Sequence, residues 1–188
     1  MTVLADIHLF WDLSRAAGIA AVILSGLSVT AGLMSGRWTK LGRVGRRLES
    51  KTVHEALSLA VIALIGLHGT LLLADPWLRP GLGGIAIPFT LGYRTFWTGL
   101  GIIAGYGLAL LGLSYYLRRW IGPARWRVAH RFVVVFWLLG LIHTFGAGSD
   151  ATEPWLWIPV AATSLPALVL LVLRHVPTPN PPPTPRAE

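Results

Sequence analysis

Four histidines lie within long apolar stretches of the chain: His54, His68, His130 and His143. A polar imidazole is costly to place in hydrocarbon, so histidines in membrane-spanning segments are candidates for a functional role. The chain contains no cysteine, which excludes thiolate-ligated clusters, disulfides and covalent haem attachment through a C-x-x-C-H motif. Histidine is therefore the strongest candidate metal ligand in these apolar stretches.

The composition is that of an integral membrane protein. Of 188 residues, 54% are hydrophobic and only 13% are charged, whereas a soluble domain carries about a quarter charged residues. We therefore predict an all-α integral membrane bundle of five transmembrane helices within residues 1–174, followed by a proline-rich, disordered cytoplasmic tail at 175–188. The five segments that approach or reach the roughly 20 residues needed to cross a bilayer are Ala16–Gly36, Ala56–Ala74, Phe96–Leu117, Phe132–Ala147 and Trp155–Leu173.

The distribution of basic residues predicts the orientation of the chain. The first and third connections between the segments are rich in Lys and Arg, whereas the second, rich in Pro and Gly, and the fourth carry few cations. Basic loops stay in the cytoplasm, so a multi-pass cell-membrane protein with its N-terminus outside and its C-terminus in the cytoplasm is predicted. These flanking residues and anionic lipid account for the net charge of +8, and no nucleic-acid partner is expected.

The spacing of the histidines predicts two metal centres, one near each membrane surface. His54 and His68 are 14 residues apart, a rise of about 21 Å that ends about 40° short of whole helical turns. Both segments start on the cytoplasmic side, so His54 should pair with His130, and His68 with His143. Two imidazoles on one haem iron fill both axial positions and make an electron relay. We interpret the four residues as the metal ligands of two b-type haems.

The fourth segment does not fit this arrangement as an ideal helix. His130 and His143 are 13 residues apart, which leaves their rings about 140° out of register. Either this helix is distorted, with Gly140 as a candidate weak point, or its two ligands approach their centres from different angles.

Aromatic and basic residues near these histidines are further candidates. Phe136 lies near the midpoint between the two histidines of its helix, where its ring could pack between haem edges. Arg131 follows His130 and could neutralise haem propionates. Ordinary helix packing and loop charge explain each of them equally well. Tryptophans at the segment ends, including Trp97 and Trp126, are interpreted as interfacial anchors.

The intervals His54-x13-His68 and His130-x12-His143 resemble the ferric reductase-like transmembrane domain, shared by NADPH oxidases, metalloreductases and small bacterial relatives. The sequences WRVAHRF, HTFGAGSD and IPFTLGYRTFW around them are similar too, and the resemblance extends from Leu41 to Arg174. It implies two bis-histidine b haems that move electrons outward, and a 13-residue step that is normal for the fold. Larger members append a flavin- and nicotinamide-binding domain, but no G-x-G-x-x-G stretch follows a strand here. FAD and NAD(P)H are therefore expected only on a separate partner.

The expected function is that of an oxidoreductase subunit that carries electrons and has no catalytic residues of its own. Its donor would be a cytoplasmic flavoprotein or a membrane quinol, and its acceptor an external one such as ferric iron, oxygen or a protein. An alternative is a haem-binding subunit similar to the one that serves periplasmic methionine sulfoxide reductase. A transporter or channel predicts acidic residues within the spans, and none of the five predicted segments contains Asp or Glu. A cofactor-free scaffold would leave the histidine pairing to coincidence.

Overall fold

The computed structural model describes residues 8–37 and 44–174, and the side chains of residues 8–35 and 51–174. The described part is helical and contains no strand, so the prediction of an all-α bundle is confirmed. The proline-rich tail lies outside the described residues. The helices are α1 Leu9–Arg37, α2 Val44–Leu73, α3 Gly81–Ala86, α4 Thr95–Leu113, α5 Arg118–Ile121, α6 Pro123–His130, α7 Val133–Ala147 and α8 Pro154–Leu173.

Five of the helical segments are long and apolar enough to cross a membrane. Lipid offers no hydrogen-bond partners, so a spanning segment must satisfy its backbone groups internally, which a helix does. Many large apolar side chains point away from the bundle and are exposed, as lipid-facing surfaces require. The segments are Leu9–Ser35, Lys51–Leu73, Thr95–Ile121, Pro123–Ala147 and Pro154–Leu173.

All five spans begin earlier than the sequence predicted, and the first two therefore include acidic residues. The first contains Asp12 and the second contains Glu55. The statement that the spans lack Asp and Glu is therefore wrong for the helices as they stand. Both acids are exposed near the starts of these spans, and Glu55 accepts a hydrogen bond of 2.8 Å from the Tyr116 hydroxyl.

The two ends of the bundle differ in charge. One end, here called the arginine end, carries the connection between α4 and α7 with Arg118, Arg119, Arg125 and Arg127. The opposite end, here called the loop end, carries the longer connection between α2 and α4, which contains the short helix α3, and the turn between α7 and α8.

Helix α1 is the central element of the packing. It packs along the length of α2 and also against α7 and α8, while α4 packs chiefly against α7. Val29 of α1, Trp137 of α7 and Ala167 of α8 form one buried apolar cluster. At the loop end, the Arg94 guanidinium donates to the carbonyl groups of Gly146 and Gly148 at 3.0 and 3.2 Å, which ties the start of α4 to the end of α7.

The fourth span is distorted immediately after His130, and not at Gly140, which lies within the regular helix α7. A 3₁₀ segment turns about 120° per residue against about 100° in an α-helix. Overwinding at this point therefore supplies part of the rotation that an ideal 13-residue step lacks. The amides that bond three residues back, in place of four, are Arg131 to Val128, Phe132 to Ala129, Val134 to Arg131 and Val135 to Phe132, at 3.0–3.4 Å.

Candidate functional site

The four histidines of the sequence analysis meet in two pairs. The ring centres of His54 and His130 are 6.2 Å apart at the arginine end, with planes at 81°. Those of His68 and His143 are 6.3 Å apart at the loop end, with planes at 70°. An imidazole nitrogen binds a metal at about 2 Å and the ring centre lies roughly 1 Å further out, so two rings on opposite sides of one ion have centres about 6 Å apart. Both separations have the size needed to bracket one metal ion.

Helix α1 orients the two histidines of α2. The Nδ1 atom of His68 lies 2.8 Å from the carbonyl oxygen of Ser14, and Nδ1 of His54 lies 2.8 Å from that of Ser28. A carbonyl oxygen only accepts, so Nδ1 of each neutral ring must carry the hydrogen and donate it. The lone pair is then on Nε2, which is the arrangement of a metal-binding imidazole.

Helix α4 orients the other two histidines in the same way. Nδ1 of His143 lies 2.9 Å from the carbonyl oxygen of Trp97, and Nδ1 of His130 lies 3.4 Å from that of Leu111. No described residue forms a hydrogen bond with Nε2 in any of the four rings. Each pair thus presents two unprotonated nitrogens without a partner in the described part of the chain.

A short repeat in α1 makes room for two of the rings. Residues Leu13–Gly18 read LSRAAG and residues Leu27–Gly32 read LSVTAG, 14 positions later. A Cβ on the final glycine would lie 3.1 Å from Nδ1 of His68 in the first copy and 3.0 Å from Cε1 of His54 in the second. In each copy the glycine follows by four residues the serine whose carbonyl group accepts the hydrogen bond. The glycine therefore lies one turn further along the same face of the helix, and it leaves space there for the imidazole ring. Sequence reasoning missed this repeat, although its interval equals that of the α2 histidines.

Gly101 makes room for the ring of His143, as the glycines of the repeat do for the histidines of α2. It follows Trp97 by four residues, and a Cβ on it would collide with Nδ1 of His143. Leu111, the acceptor for His130, has Tyr115 at the corresponding position, and its hydrogen bond is the longest of the four. The loop-end pair is therefore held more closely than the arginine-end pair.

Trp126 supports His130 from within its own helix. The two rings stack with centres 4.8 Å apart and planes at 24°, and the indole Nε1 of Trp126 donates to the Ser114 hydroxyl at 3.1 Å. Trp97, for its part, supplies the carbonyl that His143 contacts. Both tryptophans thus contact the site, beyond the anchoring role that their positions at span ends predicted.

A cavity of about 500 Å³ contains the loop-end pair and is lined chiefly by α1, α2, α4 and α7. Its volume falls within the range of cofactor and ligand pockets. Its lining is predominantly apolar, and Gly66 and Gly69 of α2 belong to it. A Cβ on either glycine would meet no atom within 4 Å, so there is open space on both sides of His68. The site has room for a large planar group.

Three aromatic rings form a cluster beside the cavity at the loop end. Trp11, Trp77 and Tyr93 pack edge to face, with ring centres 5.7–6.2 Å apart. Trp11 and Tyr93 also line the cavity. Sequence reasoning did not single out this cluster, because its members come from three separate elements.

Phe136 and Arg131 occupy positions different from those of the histidines. Phe136 packs on Gly107 of α4 and lines a separate groove of about 580 Å³ near the arginine end. The neighbouring Trp137 lines the cavity instead; 1% of its surface is exposed, and its Nε1 has no hydrogen-bond acceptor among the described residues. Arg131 is exposed at the arginine end and forms no ion pair with a described residue.

The ligands available from the protein limit what the pairs could hold. Among the described residues, no group of three or more His, Cys, Asp or Glu side chains converges on one point. A tetrahedral metal site made by the protein alone needs three or four such ligands. Two opposed imidazoles suit a metal whose remaining ligands come from a planar organic ring.

No protein-family model, no curated protein and no solved structure matches this chain.

Proposed function

We propose that this chain is a transmembrane electron-transfer protein that binds two b-type haems. One haem is held by His54 and His130, and the other by His68 and His143. The observation that carries the proposal is the pairing of imidazoles at about 6 Å, with each Nδ1 within 2.8–3.4 Å of a backbone carbonyl oxygen. Haem bound by two imidazoles supplies a one-electron centre that has no free coordination position and so passes electrons on.

The residues around each pair fix the ligands before any metal binds. The carbonyl acceptors on α1 and α4 select the Nε2 ligand and hold the ring orientation, as partners of metal-bound histidines do. The glycines beside the rings let the helices approach closely without filling the space between the imidazoles. The predominantly apolar lining of the loop-end cavity suits the apolar macrocycle of a haem.

We further propose that electrons enter at the arginine end and leave at the loop end. The arginine end faces the cytoplasm on the positive-inside rule and offers a basic surface to an acidic flavoprotein donor. A quinol donor would have to reach the first pair through the membrane. The groove beside Phe136 is apolar apart from Arg125 and offers no acceptor for the protons that a quinol releases, which favours the flavoprotein.

Two other functions make different demands on the structure. A haem subunit that feeds a periplasmic methionine sulfoxide reductase would use the same four ligands, and only its partner would differ. A proton or metal transporter needs a chain of titratable groups through the bundle. Among the described residues that line the cavity, the titratable groups besides the two histidines are Asp150, Arg15 and the phenols of Tyr93 and Tyr106, with both charged groups at the loop end. That distribution favours electron transfer.

The proposal is tested by the haem-to-protein ratio and the optical spectrum of the purified chain. We expect two low-spin haems per chain, with one lost in His68→Ala and the other lost in His54→Ala. His8→Ala is the matched control, because His8 is exposed at the start of α1. A colourless wild-type protein that remains folded by circular dichroism would contradict the proposal and favour a transporter or scaffold.

A further inference from the structure

We infer that the groove beside Phe136 binds one anionic phospholipid from the leaflet at the arginine end, with the headgroup phosphate on Arg125. The groove has a volume of about 580 Å³ and is lined by Leu111, Arg125, Val128, Ala129, Phe132 and Phe136. This lining includes no histidine and no residue of α2, so the groove is separate from both histidine pairs. The inference concerns a second ligand and goes beyond the proposed function.

The groove follows one face of the fourth span from the arginine end towards the middle of the membrane. Four of its lining residues succeed one another at intervals of three or four positions, the spacing of one helix face: Arg125, Ala129, Phe132 and Phe136. The rise from Arg125 to Phe136 is about 17 Å on a helix, and half of the hydrocarbon thickness of a bilayer is about 15 Å. The groove therefore extends over the acyl-chain region of one leaflet, with its cation at the headgroup end.

The position of the groove requires that its occupant come from the bilayer. All of its lining residues belong to the spans Thr95–Ile121 and Pro123–Ala147. Val128 and Phe132 of this lining are each 57% exposed, so they face hydrocarbon when the bundle lies in a membrane. A water-soluble partner does not reach this surface, whereas an acyl chain is already present beside it.

Arg125 makes the groove selective for an anionic headgroup. Its side chain is exposed and forms no ion pair with a described residue. The guanidinium of Arg118, in contrast, lies 3.9 Å from the ring centre of Tyr115, and that of Arg119 lies 5.4 Å from the ring centre of Trp120. A guanidinium fits a phosphate with two parallel N–H donors, and basic sites between transmembrane helices bind anionic headgroups.

The lining favours a phosphate over the head of a quinol. A phosphodiester only accepts hydrogen bonds, whereas a quinol also donates them, and no described residue of the lining has a side-chain acceptor. The groove also adjoins the residues that position His130: Leu111 supplies the carbonyl oxygen 3.4 Å from its Nδ1, and Ala129 precedes it in α6. A bound lipid would therefore contact both helices that hold this imidazole.

The test is native mass spectrometry of the purified full chain, stripped of lipid and titrated with dioleoyl phosphatidylglycerol or with dioleoyl phosphatidylcholine, which has the same acyl chains. We expect one phosphatidylglycerol per chain, bound about tenfold more tightly than phosphatidylcholine, the effect of one charge-assisted hydrogen bond. Arg125→Gln should abolish this preference, and Arg125→Lys should keep most of it. Val128→Trp, whose larger side chain fills the groove, should weaken the binding of both lipids; circular dichroism establishes that each variant is folded.

Arg119→Gln is the matched control, because Arg119 is exposed in the same connection but does not line the groove. An unchanged preference in Arg125→Gln, or an equal loss in Arg119→Gln, would overturn the inference and indicate diffuse attraction between anionic lipid and the basic end of the bundle. Recovery of a quinone that Val128→Trp displaces, with no preference for phosphatidylglycerol, would also overturn it and favour a quinol donor. None of these measurements uses haem, so their failure leaves the assignment of the four histidines unaffected, and a chain without haem leaves the lipid site unaffected.

Discussion

The Nδ1 atom of His68 lies 2.8 Å from the carbonyl oxygen of Ser14, and the same 2.8 Å separates His54 from Ser28. Helix α1 carries none of the four histidines, yet it sets the tautomer and orientation of two of them. Helix α4 does the same for His130 and His143. Of the five spans, the second and the fourth carry the histidines, and the first and the third orient them.

Replacing Gly101 by alanine should remove the loop-end haem selectively. The added Cβ would collide with the ring of His143, and the backbone of α4 cannot give way without breaking the hydrogen bond from that ring to Trp97. Because the other pair is untouched, we expect about half of the haem absorbance to remain, as one site loses the orienting contacts of its ligand. The measurement is the haem-to-protein ratio by pyridine haemochrome assay.

Gly83→Ala is the matched control for that substitution. Its Cβ would meet no atom within 4 Å, and Gly83 lies in the short helix α3, outside the cavity lining. Full haem content in Gly101→Ala would show that the ring of His143 is not held as the contacts indicate. Equal loss in both variants would point to general instability.

Replacing Ser14 by alanine tests whether the hydroxyl or the carbonyl group orients His68. The hydroxyl lies 2.9 Å from both Nδ1 and the carbonyl oxygen of His68, but the carbonyl of Ser14 remains in the variant. We expect both haems to be retained and the free energy of unfolding to fall by about 1 kcal/mol, the usual contribution of one hydrogen bond. Thermal denaturation in detergent, followed at the haem band and by circular dichroism, measures both quantities. Loss of the loop-end haem would assign the orienting role to the hydroxyl.

The helices and the histidine pairs could be predicted from the sequence, because long apolar runs determine the spans and residue intervals determine which histidines meet. Five uncharged runs predict five spans, and parallel directions of the second and fourth spans predict which histidines meet. The helix ends were less accessible. Lys51 and Glu55 fall in the second span because a helix extends through the interfacial region, where charged side chains remain hydrated.

The orienting contacts could not be predicted, because they depend on which faces of the helices meet. The acceptors in Ser14 and Trp97 are backbone carbonyl groups, which every residue has, so the residue type does not reveal them. The distortion after His130 is also a property of backbone hydrogen bonds, and glycine content alone pointed to Gly140. The LSxxAG repeat was the one readable signal, since it reproduces the interval of the histidines that it contacts.

Replacing Trp137 by phenylalanine should leave the bundle at least as stable as the wild type. Trp137 packs against Val29 and Ala167, but its Nε1 has no acceptor among the described residues. Phenylalanine keeps much of the apolar volume and removes the unpaired donor. Trp137→Ala, in contrast, should cost about 3–5 kcal/mol because it leaves a void in the core. Melting temperatures of the variants in detergent give the comparison; a large loss of stability in Trp137→Phe would mean that Nε1 has an acceptor after all.

Zinc should bind the haem-free chain weakly, without saturation below about 100 μM, because only two protein ligands meet at each pair and a stable site needs three or four. Isothermal titration of chain produced without haem measures this directly. His68→Ala should leave the zinc titration unchanged, because the pair that contains His68 is not expected to form a stable zinc site in the wild type. Tight binding of one or two zinc ions that disappears in His68→Ala would instead identify the pairs as ion sites of a transporter. A haem needs only two protein ligands and open space between the rings, whereas a tight zinc site needs three or four protein ligands that converge on one point. The zinc titration therefore distinguishes an electron-transfer protein from a metal transporter.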